Sequence, residues 1–331
     1  MGAQDHAIVI GIRTYPRMRS LKGPCNDAEA FHNWLVDPSK GDVPARNIRT
    51  LTTDGFPNPD TTHQPNLVDI DEQFRDFVSR GRAAANGSPL GRRLYIFLAG
   101  HGFSEPGDMT AAALYAANAE PSFAPHFAAT AYARWFQYNA VFDEIVFVAD
   151  FCRTTSPASR IASPILPVTT GSPRRGDVRT FFASAVRDGE AAREHQINGK
   201  WQGIFTSALL DAFDHALPNQ AGLVQGRQIA NYVHQAVGAI QVPEIEVRDH
   251  RDILFARRPQ ANAIGVSIGL EPFAGGESVT ILDHQLQPVI TKSPVSDTFQ
   301  LQLIAGNYKA VIPGAGREAL FEVPKNVEIT I

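Results

Sequence analysis

Reactive side chains in this chain gather where two apolar runs stop. In "LYIFLAGHGFSE" the imidazole of His101 follows a run of apolar residues and stands between Gly100 and Gly102. About fifty residues later "EIVFVADFCRTT" ends in the same manner, on Asp150, Phe151 and Cys152. Glycines beside a histidine let a ligand approach the backbone and leave the imidazole uncovered. If both runs are strands of one parallel sheet, thiol and imidazole emerge at the same edge, where a nucleophile and a proton acceptor could share a substrate. A lone cysteine at a strand end is more often a small buried hydrophobe; its pairing with His101 is what points to chemistry. Asp150 is the odd member, because a carboxylate close to a thiol disfavours the thiolate. Alternation along an extended chain puts Asp150 and Cys152 on one side of it and Phe151 on the other.

The surrounding sequence supplies such a sheet. "HAIVIGI" (6–12), "NIRTLT" (47–52), "RRLYIFLAGHG", the run ending at Cys152, "VRTFFASAV" (178–186) and "DILFARRP" read as strands. Between them lie helical stretches: one opening near Asn26 with Ala28, Phe31, Trp34 and Leu35 on one face, and one capped by Asn66 with Leu67, Ile70, Phe74, Phe77 and Val78 at spacings of three and four. Others span 129–142, 204–213 and 226–240. Continuous apolar strands separated by crossover helices predict an α/β fold with a mainly parallel sheet covered on both faces, whose chemistry gathers beyond the carboxyl ends of its strands. After Pro259 helical periodicity gives way to short strand-like runs and turns, predicting a small C-terminal antiparallel β-sandwich.

With 331 residues, 44% hydrophobic and 19% charged, the chain is long enough for one large domain and a smaller one. A net charge of −4, with no basic run longer than a pair such as Arg174-Arg175, argues against nucleic acid as a partner. No apolar run is long enough to span a bilayer, two cysteines make no disulfide framework, and strand-like sequence begins almost at once. The expectation is a cytoplasmic protein with no membrane partner.

Taken in order, these segments resemble the metacaspase and orthocaspase group, bacterial-type homologues of the caspases. "IGIRTY" with "LKGPCNDAEAF" is similar to that group's first strand, loop and helix, "YIFLAGHG" to its histidine motif, "VADFCRTT" to its cysteine motif, and "GIFTSALLDAF" to the helix that follows. The resemblance covers roughly residues 6–258. It implies a caspase-like peptidase domain at 1–258; the sandwich read from the strand pattern, Ig-like or transthyretin-like, is expected at 263–331. It implies Cys152 as nucleophile, His101 as proton-transfer partner, and backbone N–H groups of Gly102 and Cys152 as an oxyanion hole. It also implies that Asp27 and Asp150 line an acidic pocket for an arginine or lysine before the scissile bond, which a guanidinium's fork of donors would satisfy. The residue-level alternatives are a helix-start role for Asp27 and a strand-end acceptor role for Asp150.

The departures from the motifs carry expectations of their own. The cysteine motif reads "CRTT", Cys25 is displaced by Pro24 and reads as structural, and Glu105 and Asp108 do not reproduce the acidic pattern that follows the histidine motif in calcium-dependent members. No cofactor is therefore expected, and calcium dependence is in doubt. Asp188 and Glu190 read as solvated loop charges. The Ser/Pro/Thr-rich loop at 154–178 holds Arg160, Arg174 and Arg175, candidate processing sites of a zymogen for the enzyme itself or an upstream activating protease. The expected partners are protein substrates with basic cleavage sites. Two rival readings are a catalytically silent scaffold on the same fold and a related thiol peptidase of non-basic specificity.

Overall fold

In a computed structural model, the described residues are 2–330 without 85–87, 106–107, 155–159, 198, 220–221, 239, 248–251, 259–263, 271–277, 285, 287, 293–297, 304–305 and 324–327. They fall into two units, 1–217 with 224–256, and 218–223 with 257–331.

The first unit runs β1 (His6–Gly11), α1 (Pro24–Val36), β2 (Ile48–Thr52), the short α2 (Pro59–Thr62), α3 (Leu67–Ala84), β3 (Gly91–Ala99), β4 (Gly102–Glu105), β5 (Asp108–Tyr115), β6 (His126–Phe127), α4 (Ala129–Tyr138) and β7 (Phe142–Asp150). It continues with β8 (Arg179–Ser184), β9 (Glu194–Ile197), β10 (Lys200–Gly203), α5 (Ile204–His215), β11 (Leu223–Gln225), α6 (Gly226–Val237), β12 (Glu244–Val247) and β13 (Leu254–Arg257). A six-stranded sheet has the order β12-β8-β7-β3-β1-β2, all parallel except β12, which is antiparallel to β8.

Strand alternation divides the core into two layers. Val9, Phe97 and Val148 face α1, α5 and α6, while Ile8, Ile10, Ile96 and Phe147 face α3 and α4. Both faces are covered, which is why β1, β3 and β7 read as nearly unbroken apolar runs. The helix stripes are the buried faces: Phe31, Trp34 and Leu35 on α1, and Ile70, Phe74 and Phe77 on α3. Asn66 caps α3 by accepting from the amides of Val68 (2.8 Å) and Asp69 (3.2 Å). Among the described residues, no helix is long and apolar enough to cross a membrane.

Two sequence expectations shift. The 129–142 helix ends at Tyr138, because Ala140 takes a left-handed φ of 48° and turns the chain directly into β7. The segment 254–257 pairs with β11; the sheet edge is instead filled by β12, whose "EIEV" alternates charge and apolar side chain as an edge strand must.

In the second unit β14 (Ile264–Gly269), β15 (Val279–Asp283), β16 (Pro288–Lys292), β17 (Thr298–Leu303), β18 (Gly306–Ile312), β19 (Arg317–Val323) and β20 (Glu328–Thr330) form two sheets, β17-β14-β20 and β16-β15-β18-β19. Val266, Ile281, Leu301, Ala310 and Phe321 share one core between them. The pairings are antiparallel except β14 with β20.

Candidate active site

The two central strands of the large sheet bring the reactive residues to one edge. β3 and β7 pair with Ala99 opposite Asp150, and the Gly100 N–H donates to the Asp150 carbonyl at 3.3 Å. His101 and Cys152 each stand two residues beyond this last pair. Phe151 is buried in the α3/α4 layer, while the Asp150 carboxylate points to α5, where it accepts from the Thr206 N–H (3.1 Å) and hydroxyl (2.5 Å). Gly102 opens β4 against Phe151: a Cβ there would lie 2.2 Å from the ring, so only glycine lets this backbone come so close to Phe151.

His101 is held from two sides. Its Nε2 lies 2.7 Å from the Arg19 carbonyl. A carbonyl only accepts, so Nε2 carries the proton and Nδ1 keeps its lone pair. Burial pushes the imidazole's pKa down, against the opposing Arg19 carbonyl. Cys152 is half-buried, and burial pushes its thiol up, opposed by the Ala192 amide and reinforced by the charge of Asp150. Burial thus favours the neutral form of both groups, a thiol and an imidazole, near pH 7.

Arg153, which follows the thiol, is buried. Its guanidinium pairs with Glu244 on β12 and donates to the Ser104 hydroxyl at 3.2 Å, while its N–H donates to the Glu190 carbonyl at 2.9 Å. The backbone just beyond Cys152 is thus tied down on several sides.

Asp27 and Asp150 come together across Gly203. Both Asp27 oxygens lie 3.0 Å from the Gly203 amide, and a Cβ on Gly203 would sit 2.1 Å from Asp150 Oδ2. The carboxylate of Asp27 thus reaches across to β10. Its neighbour Asn26 donates to the Trp201 carbonyl at 2.8 Å, so "NDA" fastens β10 through two consecutive side chains. Glu194, on the partner strand β9, accepts from the amides of Gly23 (2.7 Å) and Lys22 (3.1 Å). Asp27 and Asp150 are only 2% and 7% exposed. Burial raises Asp27 well above the usual carboxylate range, with the charges of Asp150 and Glu194 adding to it. Burial also pushes Asp150 up to about 6, against the Thr206 hydrogen bonds. Two acids kept in this proximity, each with lone pairs to spare, are disposed to accept a cation.

Two of the candidate processing residues, Arg174 and Arg175, lie apart from this edge. Arg174 pairs with Asp143 at 2.6 Å, at the opposite end of β7. Nine residues of strand put that position about 30 Å from Cys152, at ~3.3 Å per residue. Arg175 lies over the Tyr138 ring, and Arg160 is exposed. Cys25 is buried, its thiol donating to the Gly11 carbonyl at 3.5 Å. The side chain of Asp108 lies outside the described residues. Among those that are described, no group of three or more His, Cys, Asp or Glu is placed to hold a metal ion.

Sequence reasoning missed Glu194, Gly203, Thr206 and the Arg19 carbonyl. Glu194 meets Gly23 across 171 residues, and a carbonyl has no side-chain identity to read. The β9–β10 hairpin, with a turn through Gly199 at φ 82°, was the available signal.

His101 and Cys152 thus follow the carboxyl ends of two adjacent strands in a parallel sheet covered on both faces. The family profile described as "Caspase domain" matches residues 4–255, and the chain belongs to that family, one of cysteine peptidases. No curated protein matches the chain. Among solved structures it is similar to caspase-1 from Spodoptera frugiperda, at 15% identity over 77% of this chain and 93% of that one, with a TM-score of 0.46. A protein from Geobacter sulfurreducens is similar at 15% identity, 73% and 92% coverage, and a TM-score of 0.42.

Proposed function

We propose that this protein is a cysteine endopeptidase cutting after arginine or lysine, with Cys152 as nucleophile and His101 as its proton-transfer partner. The observation that carries the specificity is the pair of buried carboxylates, Asp27 and Asp150, set across Gly203 beside the thiol's strand end. A guanidinium or ammonium entering there would relieve their mutual repulsion, whereas an acidic residue would add to it.

In the reaction, Nδ1 of His101 takes the Cys152 proton as sulfur attacks the scissile carbonyl. The oxyanion is received by the N–H groups of Gly102 and Cys152, and His101 then protonates the leaving amine. Water hydrolyses the thioester with the same histidine as base. Fluorogenic peptides ending in Arg, Lys or Asp, run beside Cys152→Ala, test the reading. Cys152-dependent release after Arg or Lys supports it, release after Asp alone sinks the acidic pocket, and no release before or after loop cleavage or calcium addition favours a silent scaffold.

The zymogen reading acquires a direction. Arg174 lies at the far end of β7 from the thiol, so cleavage there is expected between molecules. Cys152→Ala protein should be cut at Arg174 by added active enzyme, and fragment formation should rise with the square of enzyme concentration; first-order processing whose half-time does not change with enzyme concentration contradicts this.

A further inference from the structure

The chain that places Arg19 against His101 also buries a phenol there. Tyr15 is 1% exposed. Its hydroxyl accepts from the His101 N–H at 2.9 Å and lies 3.4 Å from the Tyr115 carbonyl, to which it donates. The Tyr115 N–H in turn donates to the His101 carbonyl at 2.9 Å. These bonds close a ring: His101 amide to Tyr15 hydroxyl, hydroxyl to Tyr115 carbonyl, Tyr115 amide back to His101 carbonyl. The Tyr15 aromatic ring also packs on the imidazole, with centroids 4.8 Å apart and planes at 56°. Gly100 is the concession that admits the hydroxyl, since a Cβ there would be 2.7 Å from it.

The segment carrying Tyr15 is itself fixed: its N–H donates to the Ser20 hydroxyl at 3.2 Å and its carbonyl accepts from Met18 at 3.1 Å. Residues 15–20 therefore grip His101 at three points, the backbone amide, the ring face and Nε2. Strand pairing alone cannot do this, because His101 lies past the last β3 residue, Ala99.

We propose that Tyr15 is a positioning residue for the His101 imidazole, acting through the His101 amide and the ring face and not on the substrate. The proposal rests on His101 being the proton-transfer partner of Cys152. An imidazole free to swing by about 1 Å loses up to ~10²-fold in rate, and the loss falls on kcat because Asp27 and Asp150 are untouched.

Tyr15→Phe keeps the ring and strands the His101 amide without its acceptor, while Tyr15→Leu removes both contacts. The expected result with an Arg-peptide substrate is a kcat lowered about tenfold in Tyr15→Phe and further in Tyr15→Leu, with KM within about twofold of wild type. The kcat–pH profile is expected to move in both variants, with the melting temperature of Tyr15→Phe reduced by only a few degrees. His101→Ala is measured alongside. Wild-type kcat and pH profile in Tyr15→Phe, with His101→Ala inactive, overturn the positioning role and leave the active-site reading intact. A rise in KM matching the fall in kcat also overturns it, as the mark of general loosening. Full activity of His101→Ala overturns the active-site reading and the positioning role together.

Discussion

Cys152→Ala is expected to lower hydrolysis of Arg peptides by at least about 10⁴-fold, because the covalent route vanishes with the sulfur. His101→Ala is expected to lose roughly 10²- to 10⁴-fold, leaving a thiol without its base. The resting charge state refines this. Burial raises the thiol and lowers the imidazole, so the free enzyme holds a neutral pair, and proton transfer accompanies attack. Alkylation of Cys152 by iodoacetamide should accordingly be slow near pH 7 and accelerate in alkaline buffer. Fast alkylation at pH 6 would reveal a preformed thiolate–imidazolium pair and contradict this account of the resting state. Cys152→Ala removes only a small half-buried group, so its melting temperature should stay close to wild type.

Asp150→Asn has the second largest effect and moves activity and stability in opposite directions. The amide oxygen can still accept from both Thr206 donors, so local geometry survives while the charge is lost. Arg-peptide kcat/KM is expected to fall by roughly 10²- to 10³-fold, the scale of truncating one partner of a buried charge-assisted pair. Stability should rise. The carboxyl titrates at its ordinary 3.8 when unfolded and at about 6 when folded. Its favourable contribution is therefore complete below pH 3.8 and is lost as pH rises through about 6, where the fold must hold a buried charge. At pH 7.5 the variant is expected to be more stable by roughly 2–3 kcal/mol, about 5 °C in melting temperature, and the difference should vanish near pH 3.5. Catalysis follows the same groups: as pH falls through about 6 the pocket gains protons, and KM for Arg peptides should climb. A destabilised Asp150→Asn that keeps its Arg-peptide KM would mark Asp150 as a strand-end acceptor and nothing more.

The parts legible in sequence are those where one physical demand acts on a continuous stretch. β1, β3 and β7 are buried on both faces and are apolar along their middle residues; α3 has a cap and a stripe within its own residues. The opposite placement of Asp150, against Thr206, and Phe151, in the α3/α4 layer, could be read because it is settled by neighbouring residues alone. What escaped depends on distant segments meeting. The β4–β5–β6 sheet is short and partly polar, β12 alternates glutamates along an edge, and Glu194 acquires its place only when β9 reaches Gly23. Arg153 drew no inference from its sequence, yet it is buried against Glu244, 91 residues on. The grip on His101 comes largely from a carbonyl and a phenol in a loop that looks like mere connection.

The central claim, a Cys152 nucleophile beside a pocket that selects a basic residue, is tested most directly by covalent capture. A peptidyl-arginine chloromethyl ketone and its aspartate counterpart are each incubated with the protein at pH 7.5, and the adduct is located by intact-mass and peptide-mapping mass spectrometry. The account predicts one stoichiometric adduct on Cys152 with the arginine reagent, little with the aspartate reagent, and suppression of the arginine adduct by the Asp27→Asn, Asp150→Asn double substitution. Equal labelling by the two reagents, or an arginine adduct at a residue other than Cys152, contradicts it.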